Sequence, residues 1–178
     1  DNTALIQKMN ADTAGSLGTQ VREQFENTAD KMRMVGSVLL QPDATNSGVK
    51  ERVIREFFIK DKDFLALFVN KHETADAAPV IAHKAVSEEM NNIDDKDAEK
   101  ALATILADKD MSLSQVSKGD VQLAGIKLAD GSPALALAVP LVEGANGVFT
   151  YTMTALLRQQ KFVKAFGESD VIISFMVD

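Results

Sequence analysis

The last third of the chain commits it to a β-sheet. Between residues 121 and 153, three runs of β-favouring residues are separated by two short turns, Ala129-Asp130-Gly131-Ser132 and Glu143-Gly144-Ala145-Asn146-Gly147. Turns this short leave successive strands only one arrangement, antiparallel neighbours, and the glycines supply the backbone freedom that tight turns demand. The pattern predicts strands over 121–128, 134–142 and 148–153. A short helix should follow, carrying Leu156, Leu157, Phe162, Val163 and Phe166 and stopped by Gly167, and then a last strand over 171–177.

The first third has a different period. Over residues 3–40 apolar side chains recur at Leu5, Met9, Leu17, Val21, Phe25, Ala29, Met32, Val35 and Leu39, in steps of mostly three or four. This is the stripe of a long amphipathic helix. Gly15 and Gly18 each weaken it by roughly 1 kcal/mol relative to Ala. Pro42 and the turn formers through Gly48 end it, and a second helix should bury Val53, Ile54, Phe57 and Phe58.

The run Phe64-Leu65-Ala66-Leu67-Phe68-Val69 is short and continuously apolar, which suits a strand covered on both faces. Residues 72–92 are read as a helix opening at Pro79, the alternative being an irregular crossing over the sheet. Asp95 is the expected N-cap of a helix using Ala98, Ala101, Leu102, Ile105 and Leu106. The elements define one α+β domain over 1–178, with the long helix in 1–41 and the core in 48–178.

Composition then narrows the chemistry. The net charge is -7 and no stretch concentrates Lys and Arg, so phosphate backbones have no footprint here and nucleic acid is not expected as a partner. The chain has no cysteine, which removes disulfides, thiolate nucleophiles and sulfur-ligated metals. His72 and His83 are not at the spacing of a helical zinc pair, and they read as solvated or hydrogen-bonded surface residues. Glu88, Glu89, Asp94, Asp95 and Asp97 lack the glycine hinge and alternating oxygens of a calcium loop. No Gly-x-Ser-x-Gly elbow or phosphate loop is present. We therefore expect no catalytic residue, no metal, no cofactor and no enzymatic activity.

The stretch from Gly131 through Pro140 to Leu141, then Gly147-Val148-Phe149-Thr150-Tyr151, then Ser174-Phe175-Met176-Val177-Asp178 resembles the Cache domains of bacterial transmembrane receptors, PAS-like extracytoplasmic sensors. The resemblance implies a long N-terminal helix packed on an antiparallel sheet with flanking helices. It also implies a homodimer formed through that helix, a membrane-anchored parent, a periplasmic location and a pocket between the meander and the helices covering it. Family members turn through a glycine into one more strand beyond the position of Asp178, so truncation there is an open reading. Where amino-acid-binding members, as we align them, offer an Asp to the ligand's ammonium group, this sequence has Thr152, and their Arg-x-Trp-Tyr anchor is missing.

Within such a pocket Tyr151 offers a polar handle, and Arg158 and Lys127 could each pair with a carboxylate, so a small carboxylate or another metabolite is the expected ligand. Ordinary surface or core packing competes with that role for each residue. The expected function is ligand sensing for a chemoreceptor, nucleotide cyclase or histidine kinase. The alternative is a periplasmic protein-interaction module with no small-molecule ligand. Ala124, Gly125, Ala136 and Ala138 suit either a cavity or close helix packing.

Overall fold

The computed structural model describes residues 5–8, 15–42, 47–87, 94–107, 113–158 and 171–176. Seven strands form one sheet: β1 (Leu5–Lys8), β2 (Phe64–Lys71), β3 (Val80–Val86), β4 (Asp120–Lys127), β5 (Pro133–Glu143), β6 (Phe149–Leu157) and β7 (Val171–Met176). Their spatial order is β1-β7-β4-β5-β6-β2-β3. All pairings are antiparallel except β1 with β7. Helices α1 (Gly15–Leu40) and α2 (Ser47–Lys60) cover one face, and α3 (Asp95–Ala107) and α4 (Leu113–Ser117) cover the other. The fold is α+β, with helices on both faces of an antiparallel sheet.

Side-chain alternation along the strands builds two cores. Leu123, Leu137, Val139, Met153 and Ala155 face α1 and α2, meeting Phe25, Ala29, Met32, Val35 and Leu39 of α1 and Phe58 of α2. Their neighbours Ala124, Ala136, Ala138 and Leu156, with Phe68, face the other way and meet Ala98, Leu102 and Ile105 of α3 and Val116 of α4. Each fully buried large side chain contributes about 1.5–3 kcal/mol. β2 packs on both faces, which is why its sequence is apolar without alternation.

Helix α1 approaches the sheet closely because Gly36 has no side chain. A Cβ there would lie 2.8 Å from Met153 Sδ and 3.0 Å from both terminal carbons of Leu141. The β4–β5 hairpin turns through Gly131 at φ 83°, with Asp130 Oδ1 accepting hydrogen bonds from the Ser132 amide and hydroxyl.

Five sequence expectations are corrected. Residues 5–8 are not the start of the long helix; they form β1, which pairs in parallel with β7, and α1 begins at Gly15. Val80–Val86 is a strand, not a helix: a buried β2 needs a hydrogen-bonding partner on its outer edge, and the β-branched Val80 and Ile81 supply one. Pro79, which has no N–H to give a ladder, sits just before it. Leu156 and Leu157 belong to β6, where Leu157 lies opposite Phe64 on one side and Leu135 on the other. The cap of α3 is Asp94, whose Oδ1 accepts from the Asp97 amide at 2.8 Å, and Asp95 is the first helical residue. On α2, Phe58 is buried while Val53 is exposed. The strands expected over 121–128, 134–142, 148–153 and 171–177 are present as β4, β5, β6 and β7, and the run at 64–69 as β2. Residues 43–46, 88–93 and 159–170, with the Phe162, Val163, Phe166 and Gly167 of the expected late helix, lie outside the described residues, as do Met9, Val177 and Asp178.

Candidate functional site

β6 begins Phe149-Thr150-Tyr151-Thr152-Met153-Thr154, with threonine at every second position. In a strand this period sends Thr152 and Thr154 to the same face as Leu156. That is the α3/α4 face. Next to β6, the end of β2 presents Asn70, followed by His72 one residue past the strand. The His72 amide donates to the Thr150 carbonyl at 2.8 Å and extends the ladder.

These residues make two diagonal pairs. His72 Nε2 lies 2.7 Å from Thr152 Oγ1, and Asn70 Nδ2 donates to Thr154 Oγ1 at 3.2 Å. All four side chains are buried, His72 at 2% exposure. The other ring nitrogen, Nδ1, is buried without a hydrogen-bond partner. Burial lowers the imidazole below the usual histidine range, so the ring is neutral at pH 7. A buried polar nitrogen left unpaired costs about 1–3 kcal/mol.

Across the sheet, Thr154 lies opposite Ala138 on β5, and Ala138 lies opposite Gln122 on β4. Thr152 lies opposite Pro140. A low apolar floor thus separates the threonines from the buried Gln122. Helix α4 roofs this end: Ser117 Oγ donates to the Phe149 carbonyl at 2.9 Å, and Val116 is fully buried in the core beneath it. The connection between β2 and β3 closes the side, with Asp76 accepting from Ser114 Oγ at 3.3 Å and lying 3.8 Å from Lys118 Nζ.

The three expected binding residues are not brought together. Tyr151, the third residue of β6, lies opposite Lys71 and Val142 and packs, half-buried, against the α1/α2 core. Arg158 follows the far end of β6, roughly 20 Å away at the rise of an extended strand. Its amide donates to the Asp63 carbonyl at 2.7 Å, and its Nε is buried without a partner. Lys127 is exposed at the end of β4 opposite Pro133, near the hairpin turn. In that turn the Ser132 hydroxyl and amide, with Arg158 adding to them, lower the Asp130 carboxyl below the usual range.

The expectation of a solvated surface histidine is corrected for His72, which sits inside the α3/α4 face, while His83 is half-buried on β3. Asn70, His72 and Thr154 were not among the expected contacts. The threonine period of β6 was the signal that could have found them. Among the described residues no group of three His, Cys, Asp or Glu side chains could hold a metal ion. No helix among them is long and apolar enough to cross a membrane.

No family model matches the chain, and no curated protein does. Among solved structures it is similar to the ligand-binding domain of an amino acid chemoreceptor of Pseudomonas aeruginosa in complex with GABA, with 13% identity and a TM-score of 0.35. The match covers 86% of this chain and 65% of that one, so the chain spans less than two thirds of the matched structure.

Proposed function

We propose that this chain is a single ligand-sensing domain from the extracytoplasmic side of a membrane-anchored receptor, whose output is a chemotaxis, cyclase or kinase module. The observation that carries the reading is the pair of buried polar contacts, His72 with Thr152 and Asn70 with Thr154, between sheet and covering helices. Apolar side chains would pack that face at lower cost, since buried polar groups return only a modest net gain even when paired. The segments that resemble Cache sensors support the reading: they fall on β5, β6 and β7 in the expected order. The helix expected to meet a dimer mate is α1, which leaves Met34 62% exposed.

A bound molecule transmits a signal only through different affinities for two arrangements of the domain. In this reading the ligand lies on the α3/α4 face. Arg158, with an unpartnered Nε, is a candidate carboxylate contact at the far end of that face; Tyr151 packs on the opposite α1/α2 side and Lys127 is exposed near the β4–β5 turn, so neither joins it. The second reading, a protein-interaction module, is favoured by the edge strand β3, where Val80 and Ile81 are 59% and 42% exposed.

The test is a thermal-shift screen of the purified chain against small carboxylates, amino acids, purines and sugars. A ligand specific for the native state adds about 2.7 kcal/mol at 100 times its dissociation constant. A shift abolished by substitution at Thr152 or Arg158 supports the sensor. No shift across the panel, with a protein partner lost on Ile81→Lys, supports the second reading.

A further inference from the structure

Asn146-Gly147 is the single Asn-Gly pair in the chain, and it forms the tip of the turn between β5 and β6. Asn146 has φ 62° and ψ 30°, and Gly147 has φ 72°. A type I′ turn asks for left-handed angles at both central positions, and Asn followed by Gly reaches them at little cost. Ala145, Asn146 and Gly147 are all exposed, and a Cβ placed on Gly147 would meet nothing within 4 Å. The tip is closed by the Val148 amide, which donates to the Ala145 carbonyl at 3.3 Å, a long bond. Below it the Gly144 amide donates to the Val148 carbonyl at 2.7 Å and holds the strands together.

We propose that Asn146 is a site of spontaneous covalent modification, converted to aspartate and isoaspartate through attack by the Gly147 amide nitrogen. That nitrogen gives up its proton and bonds to Asn146 Cγ; the Cγ–Nδ2 bond breaks, and Nδ2 leaves as ammonia with the proton. The product is a cyclic imide. Water, the only co-reactant, opens it at either carbonyl: one route leaves an aspartate with its normal peptide bond, the other carries the main chain through Cβ and Cγ. Ring closure requires rotation about the Cα–C bond of Asn146 away from ψ 30°. In this turn the motion breaks the long Val148–Ala145 bond and displaces no side chain packed on Gly147. Glycine after the asparagine also leaves the approach to Cγ uncrowded, having no Cβ. The other described asparagines lack these conditions: Asn27 is held within α1 and followed by Thr28, and Asn70 is buried at 1% exposure with its Nδ2 bonded to Thr154. The two products differ in consequence. Aspartate tolerates the left-handed region as asparagine does, whereas isoaspartate adds a backbone atom inside the turn that joins Glu143 to its partner Phe149. The Phe149 carbonyl accepts from Ser117 of α4, so the lengthened turn lies beside that contact.

The test is incubation of the full chain in warm, mildly alkaline buffer, followed by peptide mapping with mass spectrometry and chromatographic separation of aspartate from isoaspartate. Asn146 should lose its amide ahead of every other asparagine and yield both products, while the near-ultraviolet circular dichroism of the chain stays native. Gly147→Ala should slow the conversion. Asn146→Asp, a stand-in for the normal product, should keep the parent's hydrogen-exchange protection at the Gly144 and Val148 amides, which the isolated isoaspartate form should lose. An Asn146 that stays intact while other asparagines convert, or that converts only in urea, overturns the proposal. Aspartate as the sole product, formed at an unchanged rate in Gly147→Ala, overturns it as well, because direct hydrolysis would then replace the imide. Equal protection in the isoaspartate form overturns the consequence assigned to the turn.

Discussion

His72 should make the fold sensitive to mild acid. Its imidazole is lowered by burial, whereas in the unfolded chain it titrates near its ordinary value of about 6.5. Below that value the unfolded state takes up a proton that the native state refuses. Stability is therefore fully present above about pH 6.5 and declines as pH falls toward the folded-state value. The limiting slope for one proton is about 1.4 kcal/mol per pH unit. At pH 5.5 the loss relative to pH 7.5 is therefore at most about 1.4 kcal/mol. With a urea m-value of about 2 kcal/mol/M, the midpoint moves down by at most about 0.7 M. The assay is urea unfolding, followed by circular dichroism, of the parent chain and His72→Gln between pH 5.5 and 7.5. The variant keeps a hydrogen-bonding group facing Thr152 but cannot titrate, so subtracting its curve removes the contribution of every carboxylate. Asp63 is one of these: burial and then Asp61 raise its carboxyl, opposed by Lys31, so it favours the fold as pH falls and has the opposite sign. Identical pH profiles for the two proteins would refute the reasoning, because they would mean that His72 protonates in the native state as freely as in water.

Two further outcomes test the packing. Gly36→Val places side-chain atoms where Met153 and Leu141 already sit; it should cost about 1–3 kcal/mol in urea unfolding, with part of the loss recovered in the double variant with Met153→Ala. Asp94→Ala removes the cap on the Asp97 amide and should lower stability by about 1 kcal/mol, read as a drop in Tm with little change in the near-ultraviolet circular dichroism of the core.

The strands were legible wherever the turn chemistry was local. The β4–β5 hairpin follows from Asp130, Gly131 and Ser132, and β2 from six consecutive apolar residues. Elements whose identity depends on a distant partner were not legible. Val80 and Ile81 become strand because β2 needs an edge partner, and Leu157 stays extended because Phe64 and Leu135 flank it. β1 is the extreme case, with its pairing residues on β7 at the other end of the sequence. The candidate site shows the same division. The period of Thr150, Thr152 and Thr154 was readable, but the burial of His72 depends on β6, which is far away in sequence, and no local pattern carries that. Lys127, Tyr151 and Arg158 were singled out for their functional groups, and side-chain chemistry alone does not say which face or which end of a strand a residue occupies.

The pairing of β1 with β7 also has a mechanical meaning. The two strands run parallel, with Leu5 opposite Val171 and Lys8 opposite Ser174. Tension applied between the start of β1 and the end of β7 pulls along the strands, not across them. Their interstrand hydrogen bonds are then loaded in shear, all at once, and cannot open one after another as in a zipper. A pull through these two strands is passed on to the interior of the sheet through the ladder that joins β7 to β4.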